Sequence, residues 1–130
     1  MAAFDTNVIV RILVGDDPVQ TPKAEKAFLT HAAANGVYVS LVVLAEIGWV
    51  LATAYGWDRA TIHTRVEQLV RTHGVEVEDL ELVEDALHAY ARGRADLSDY
   101  LVLGRARADG GGRLLTFDRK LSREPGVSLL

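Results

Sequence analysis

The chain has 130 residues, of which 49% are hydrophobic and 25% charged, with no cysteine and a formal net charge of −4 at pH 7. These values are typical of a soluble globular protein, and we expect a single domain over residues 1–130. The lack of cysteine excludes disulfides, thiolate metal ligands and a cysteine nucleophile. No apolar run approaches the roughly 20 residues that cross a membrane, so we expect a cytoplasmic protein.

Strand-like and helix-like segments alternate along the whole chain. Strands are predicted at residues 2–5, 37–39, 75–77, 113–117 and 127–130. Helices are predicted at residues 6–14, 21–34, 41–55, 59–73, 80–92 and 98–108. Strands that alternate with helices are joined by crossovers and run parallel, which predicts an α/β sandwich.

Several helix boundaries have a specific residue signal. Thr21 precedes Pro22, which places a hydroxyl at the N-cap and proline at the first helical position. Asp58 is a plausible N-cap for the helix that follows it. The helix over 41–55 is apolar almost all round, which favours the core or an interface. For Trp49 in this helix core packing is the favoured interpretation, and an interface is the alternative.

Five acidic residues lie in segments that are otherwise apolar. They are Asp5, Glu46, Asp96, Asp99 and Asp118. Buried carboxylates are rarely left without a partner, and Glu46 is the hardest to explain because its whole helix is apolar. Asp5 and Asp118 each end a predicted strand, which would bring them to one edge of a parallel sheet. Gathered together, these acids predict a cation site.

The chemistry of this set favours Mg²⁺ or Mn²⁺. Oxygen ligands without histidine or cysteine suit these ions better than Zn²⁺, and such a site can activate water against a phosphodiester. Each acid also has a simpler interpretation. Asp5 could cap a helix, Asp99 could be a first-turn acid favoured by the helix dipole, and Asp118 could open a turn. For Asp99 and Asp118 taken singly the simpler interpretation is favoured, and only the set as a whole favours a shared site.

The net charge does not exclude a nucleic-acid substrate. The 18 acidic residues less these five leave 13, against 14 Lys and Arg. The rest of the surface would then be close to neutral, with a slight basic excess.

Four segments in order resemble a known family over essentially the whole chain: FDTNVIVR, SLVVLAEIGWVL, DLSDYLVLGRA and LLTFDRKL. They resemble PIN-domain proteins of the VapC type, the toxin half of type II toxin–antitoxin pairs. The resemblance implies a three-layer α/β/α sandwich with a short central parallel sheet. It also implies a Mg²⁺- or Mn²⁺-dependent endoribonuclease that cuts cellular RNA such as tRNA or rRNA and so inhibits translation. The implied partners are a cognate antitoxin that blocks the site and a second copy in a homodimer.

The resemblance also implies residue roles. Asp5, Glu46, Asp99 and Asp118 fall on the family's four acidic positions, which coordinate one or two metal ions and position the attacking water. Asp96 is an additional acid, expected to support these ligands or to bind a second ion. The remaining matched residues are Thr6, Asn7 and Thr116, expected to orient carboxylates by hydrogen bonding, and Arg119 and Lys120, expected to contact substrate phosphate.

Rival families fit the sequence less well. A haloacid-dehalogenase-type phosphatase needs a second acid two residues after the first, where this chain has Asn7. A response-regulator receiver needs a lysine at the late strand end, where this chain has Asp118. The alternatives that stay open are a non-toxic metal-dependent phosphoesterase and a binding module whose acids hold a structural cation.

Overall fold

A computed structural model describes all 130 residues. The strands are β1 (Ala2–Ala3), β2 (Val37–Val39), β3 (Val75–Val77), β4 (Leu114–Thr116) and β5 (Val127–Leu129). The helices are α1 (Thr6–Val14), α2 (Gln20–Ala33), α3 (Leu41–Thr53), α4 (Arg59–Arg71), α5 (Leu80–Arg92) and α6 (Leu97–Ala108), with a 3₁₀ turn at Leu121–Arg123. Every predicted strand and helix is present, with ends that differ by one or two residues. The α/β class is confirmed.

All strand pairs are parallel, as predicted, but they form two sheets. One has the order β1-β2-β3 and the other pairs β4 with β5. The implied central sheet is therefore divided into a three-stranded and a two-stranded part. Strand β1 is short and contributes only Ala2 and Ala3 to its ladder before Asp5, the N-cap of α1.

Helix α2 begins one residue earlier than predicted. Asp17 Oδ1 accepts hydrogen bonds from the backbone N–H groups of Val19 (2.9 Å) and Gln20 (2.7 Å), so Asp17 satisfies the first turn. Thr21 is therefore not the N-cap. It is buried, and its hydroxyl donates to the backbone oxygen of Arg11 at 3.2 Å.

Helix α3 has one buried face and one exposed face. Leu44, Ile47 and Leu51 are fully buried on the inner face. Trp49 is 60% exposed on the outer face, and Glu46 is exposed as well. The expectations of a core tryptophan and a buried glutamate are both wrong. Because nearly every residue of this helix is apolar, its sequence pattern does not define which face is buried.

Helices α3 and α6 approach closely at a glycine. A Cβ placed on Gly48 would lie 3.3 Å from the Cβ of Leu97, so a larger residue there would force the helices apart. This contact sets the middle of α3 beside the first residue of α6. None of the helices combines the length and the apolar character needed to cross a membrane.

Candidate active site

The first group of site residues lies at the start of α1 and in the second turn of α3. Asp5 is the N-cap of α1, and its Oδ1 accepts a hydrogen bond from the Thr6 N–H at 2.8 Å. The buried Thr6 hydroxyl donates to Glu46 Oε1 at 3.0 Å. Thr6 therefore joins the two carboxylates, which agrees with its expected orienting role. We call Asp5 and Glu46 the α1–α3 pair.

The second group lies at the start of α6 and just after β4. Asp99 Oδ2 accepts a hydrogen bond from the Asp96 backbone N–H at 3.0 Å, which is one half of a capping box. Asp118 Oδ1 accepts from the backbone N–H groups of Lys120 (2.8 Å) and Leu121 (3.0 Å). Asp96 thus caps α6, and Asp118 opens the turn that follows β4. We call Asp96, Asp99 and Asp118 the α6–β4 trio.

The pKa of Asp99 lies above its ordinary value. Partial burial raises the pKa of Asp99, and the nearby carboxylates of Asp118 and Asp96 raise it further. The hydrogen bond from the Asp96 N–H acts in the opposite direction, and it does not outweigh burial. A carboxyl group whose charged form is disfavoured in this way would be stabilised in that form by a nearby cation.

The structure keeps the pair and the trio as separate groups. Glu46 lies on the exposed face of α3, whereas Gly48 on the buried face touches Leu97, the residue after Asp96. No three Asp, Glu or His side chains are close enough together to hold one ion. Asp5 follows β1 and Asp118 follows β4, and these strands belong to separate sheets. The assignment of these acids to a metal site therefore stays a prediction.

The donor chemistry of both groups suits a divalent cation. The ion pairs of the protein are Arg11–Asp17, His63–Glu67, Arg105–Asp79 and Arg105–Asp109. None of them includes a member of the pair or the trio, so none of these five carboxylates has a cationic partner side chain. Carboxylate oxygens are the ligands that Mg²⁺ and Mn²⁺ prefer.

The other residues singled out from the sequence fall around these acids. Thr116 Oγ1 accepts a hydrogen bond from the Asp118 backbone N–H at 3.0 Å, so it fixes the Asp118 backbone and not the carboxylate. Asn7 is exposed and lines a cavity of about 300 Å³ between α1 and α2. Arg119 and Lys120 directly follow Asp118, are exposed, and form no ion pair.

Sequence reasoning missed one residue beside the site. Arg59, at the start of α4, donates to backbone oxygens of the segment that leads into Asp96. No local pattern could have identified Arg59, because Arg59 and Asp96 are far apart in sequence. An arginine in the first turn of a helix also does not by itself indicate a function.

Comparisons with known proteins bear on the identity of the chain. A protein described as VapC ribonuclease from Aquifex aeolicus (strain VF5) is 22% identical over 125 residues, which cover 95% of this chain and 91% of that protein. A solved structure described as a toxin–antitoxin complex from Klebsiella pneumoniae is 21% identical, with 98% of this chain and 95% of that chain covered and a TM-score of 0.38. The family model of the PIN domain matches residues 2–126. The chain therefore belongs to the PIN-domain family.

Proposed function

We propose that this protein is a divalent-metal-dependent endoribonuclease of the VapC type, the toxin partner of a cognate antitoxin. The observation that carries the proposal is the set of five carboxylates without a cationic partner, which form the pair and the trio in a chain of the PIN-domain family. Full-length similarity to a protein described as VapC ribonuclease supports the choice of RNA as substrate. An RNA substrate would place the protein in the cytoplasm.

The proposed roles follow from the side chains. Asp5, Glu46, Asp99 and Asp118 would hold Mg²⁺ or Mn²⁺, and Asp96 would support Asp99 through the start of α6. The Thr6 hydroxyl orients one oxygen of Glu46 and leaves the other free to bind. When bound, the ion supplies positive charge that lowers the pKa of water and neutralises charge on a phosphodiester.

The cationic residues next to Asp118 suit a role in holding the RNA. Arg119 and Lys120 are exposed and unpaired, so their side chains are free to contact phosphate oxygens. Such contacts position the backbone and carry no sequence information by themselves.

The proposed protein partners need an exposed apolar surface. On the outer face of α3, Val42 is 69% exposed and Trp49 is 60% exposed, and Glu46 lies between them at helical spacing. An antitoxin that covers Glu46 could bury both side chains at the same time. A homodimer belongs to the proposal as well, and its interface is not assigned.

The proposal is tested by incubating the purified protein, free of any antitoxin, with total cellular RNA and either Mg²⁺ or Mn²⁺. We expect specific cleavage products that disappear with EDTA. The variant Asp5→Asn should lose activity but stay folded, because asparagine keeps an oxygen to accept from the Thr6 N–H. Asp16→Asn is the matched control, since Asp16 is an exposed acid in the turn after α1.

Two results would contradict the proposal. One is no cleavage of RNA by the folded wild-type protein with either ion. The other is cleavage that continues equally in EDTA and in the Asp5→Asn variant, which would indicate a contaminating nuclease or a metal-independent mechanism.

A further inference from the structure

We infer that Arg59 is a positioning residue for the α6–β4 trio, because its guanidinium holds in place the segment 93–95 from which Asp96 begins α6. This inference rests on the proposed metal site. It assigns a role to a residue of α4 that carries no carboxylate and contacts none of the proposed ligands.

The contacts of Arg59 converge on the turn between α5 and α6. Nη1 donates to the backbone oxygen of Ala95 at 2.7 Å, and Nη2 donates to the backbone oxygens of Tyr90 (2.8 Å) and Gly93 (3.1 Å). The guanidinium carbon also lies 4.1 Å from the centre of the Tyr90 ring. One side chain therefore ties the last turn of α5 to the residue directly before Asp96.

The opposite side of the turn is fixed by α6 itself. A Cβ placed on Gly93 would overlap the hydroxyl of Tyr100, so a larger residue there would displace the Tyr100 side chain. The Tyr100 hydroxyl donates to Glu124 Oε1 at 2.8 Å, and Tyr100 is buried. Segment 93–95 is thus held between Arg59 and Tyr100, and Ala95 and Leu97 are buried on either side of Asp96.

This arrangement offsets the repulsion within the trio. Asp96 and Asp99 are the two acids of one capping box, and like-charged carboxylates this close repel each other. Without a restraint, the start of α6 could move and so reduce the repulsion between the carboxylates. Arg59 opposes that movement through the backbone, since its planar fork can contact several carbonyl oxygens at once and a lysine amine cannot.

The test compares Arg59 with a second arginine of the same helix. Arg65 is also half-buried, donates from Nη2 to the backbone oxygen of Leu13 at 3.1 Å, and lies 5.6 Å from the centre of the Trp57 ring. It makes the same kinds of contact but touches α1, not the turn before α6. Arg65→Ala is therefore a matched control for the general cost of losing a half-buried arginine.

The measurements are Mn²⁺ affinity by calorimetry and backbone hydrogen exchange without metal. We expect Arg59→Ala to exchange faster over residues 93–99 and to bind Mn²⁺ roughly 10- to 100-fold more weakly, the range found for residues that support metal ligands. Arg59→Lys should be intermediate, and it decides the question if Arg59→Ala does not stay folded. Arg65→Ala should bind Mn²⁺ as the wild type does.

The outcomes separate this inference from the proposed function. Mn²⁺ binding by the wild type that is unchanged in folded Arg59→Ala, or equally weakened in Arg65→Ala, overturns the positioning role and leaves the proposed function standing. No Mn²⁺ binding by the wild type overturns the proposed function, and this inference with it.

Discussion

Two helices of this protein start in similar ways and differ in what their acids do. At the start of α4, the exposed Asp58 accepts a hydrogen bond from the Thr61 N–H at 2.8 Å, and bonds from Thr61 lower the pKa of Asp58. At the start of α6, Asp99 accepts a similar bond from the Asp96 N–H at 3.0 Å. There, partial burial and the neighbouring carboxylates raise the pKa of Asp99.

This difference distinguishes an acid that only caps a helix from an acid that could also bind a cation. Each acid accepts a backbone hydrogen bond at a helix start, Asp58 as the N-cap of α4 and Asp99 as the third residue of α6 in a capping box. The direction of the pKa shift separates them, because the charged form of Asp58 is favoured by folding and that of Asp99 is disfavoured. An acid such as Asp99 lowers the stability of the folded protein in its charged form, and a bound cation would offset that loss.

The largest expected effect is on catalysis. Asp99→Asn should reduce metal-dependent RNA cleavage by more than roughly a hundredfold, because loss of a supporting residue alone costs roughly 10- to 100-fold. Asp58→Asn should cleave at the wild-type rate. Initial rates on one RNA at saturating Mn²⁺ check both. Equal rates for the two variants would remove the distinction between the helix starts.

A smaller effect, of opposite sign in the two variants, is expected on stability without metal. At neutral pH in EDTA, Asp99→Asn should raise the melting temperature by a few degrees, because asparagine keeps the acceptor and removes the disfavoured charge. Asp58→Asn should lower the melting temperature slightly, because it removes a favoured charge. Thermal unfolding followed by circular dichroism measures both.

The stability of the folded protein should depend on pH in opposite ways through Asp99 and Asp58. The folded-state pKa of Asp99 lies above the ordinary value of 3.8, so its contribution to stability is fully present below 3.8 and is lost as the pH rises through the folded-state pKa. The folded-state pKa of Asp58 lies below 3.8, so its contribution is present above 3.8 and is lost as the pH falls. At neutral pH the melting temperature relative to the wild type should be higher for Asp99→Asn and lower for Asp58→Asn. A change of the same sign in both variants would contradict this account.

Much of the fold could be predicted from the sequence because its signals are local. The start of α1 at Thr6 and the start of α5 at Leu80 match the structure. Tertiary features could not be predicted in this way. The division of the strands into two sheets depends on pairing between distant segments. The exposed face of α3 could not be identified in a helix that is apolar almost all round.

The sequence singled out five acids and did not predict their arrangement. Their assignment to a metal site stays a prediction, and the structure divides them into the pair and the trio. The Thr6 hydroxyl donates to Glu46, as expected of a residue that orients a carboxylate. The reason first given for Glu46 was wrong, since Glu46 is exposed and not buried. Arg59 could not be found at all, because its role depends on contacts with carbonyl oxygens more than 30 residues away.

The most direct test of the central claim is a calorimetric titration of the purified wild-type protein with Mn²⁺, beside the Asp99→Asn and Asp58→Asn variants. The account predicts saturable binding to the wild type and to Asp58→Asn, with binding strongly weakened in Asp99→Asn. Absence of binding to the folded wild type, or equal binding to all three proteins, would contradict the assignment of the pair and the trio to a metal site.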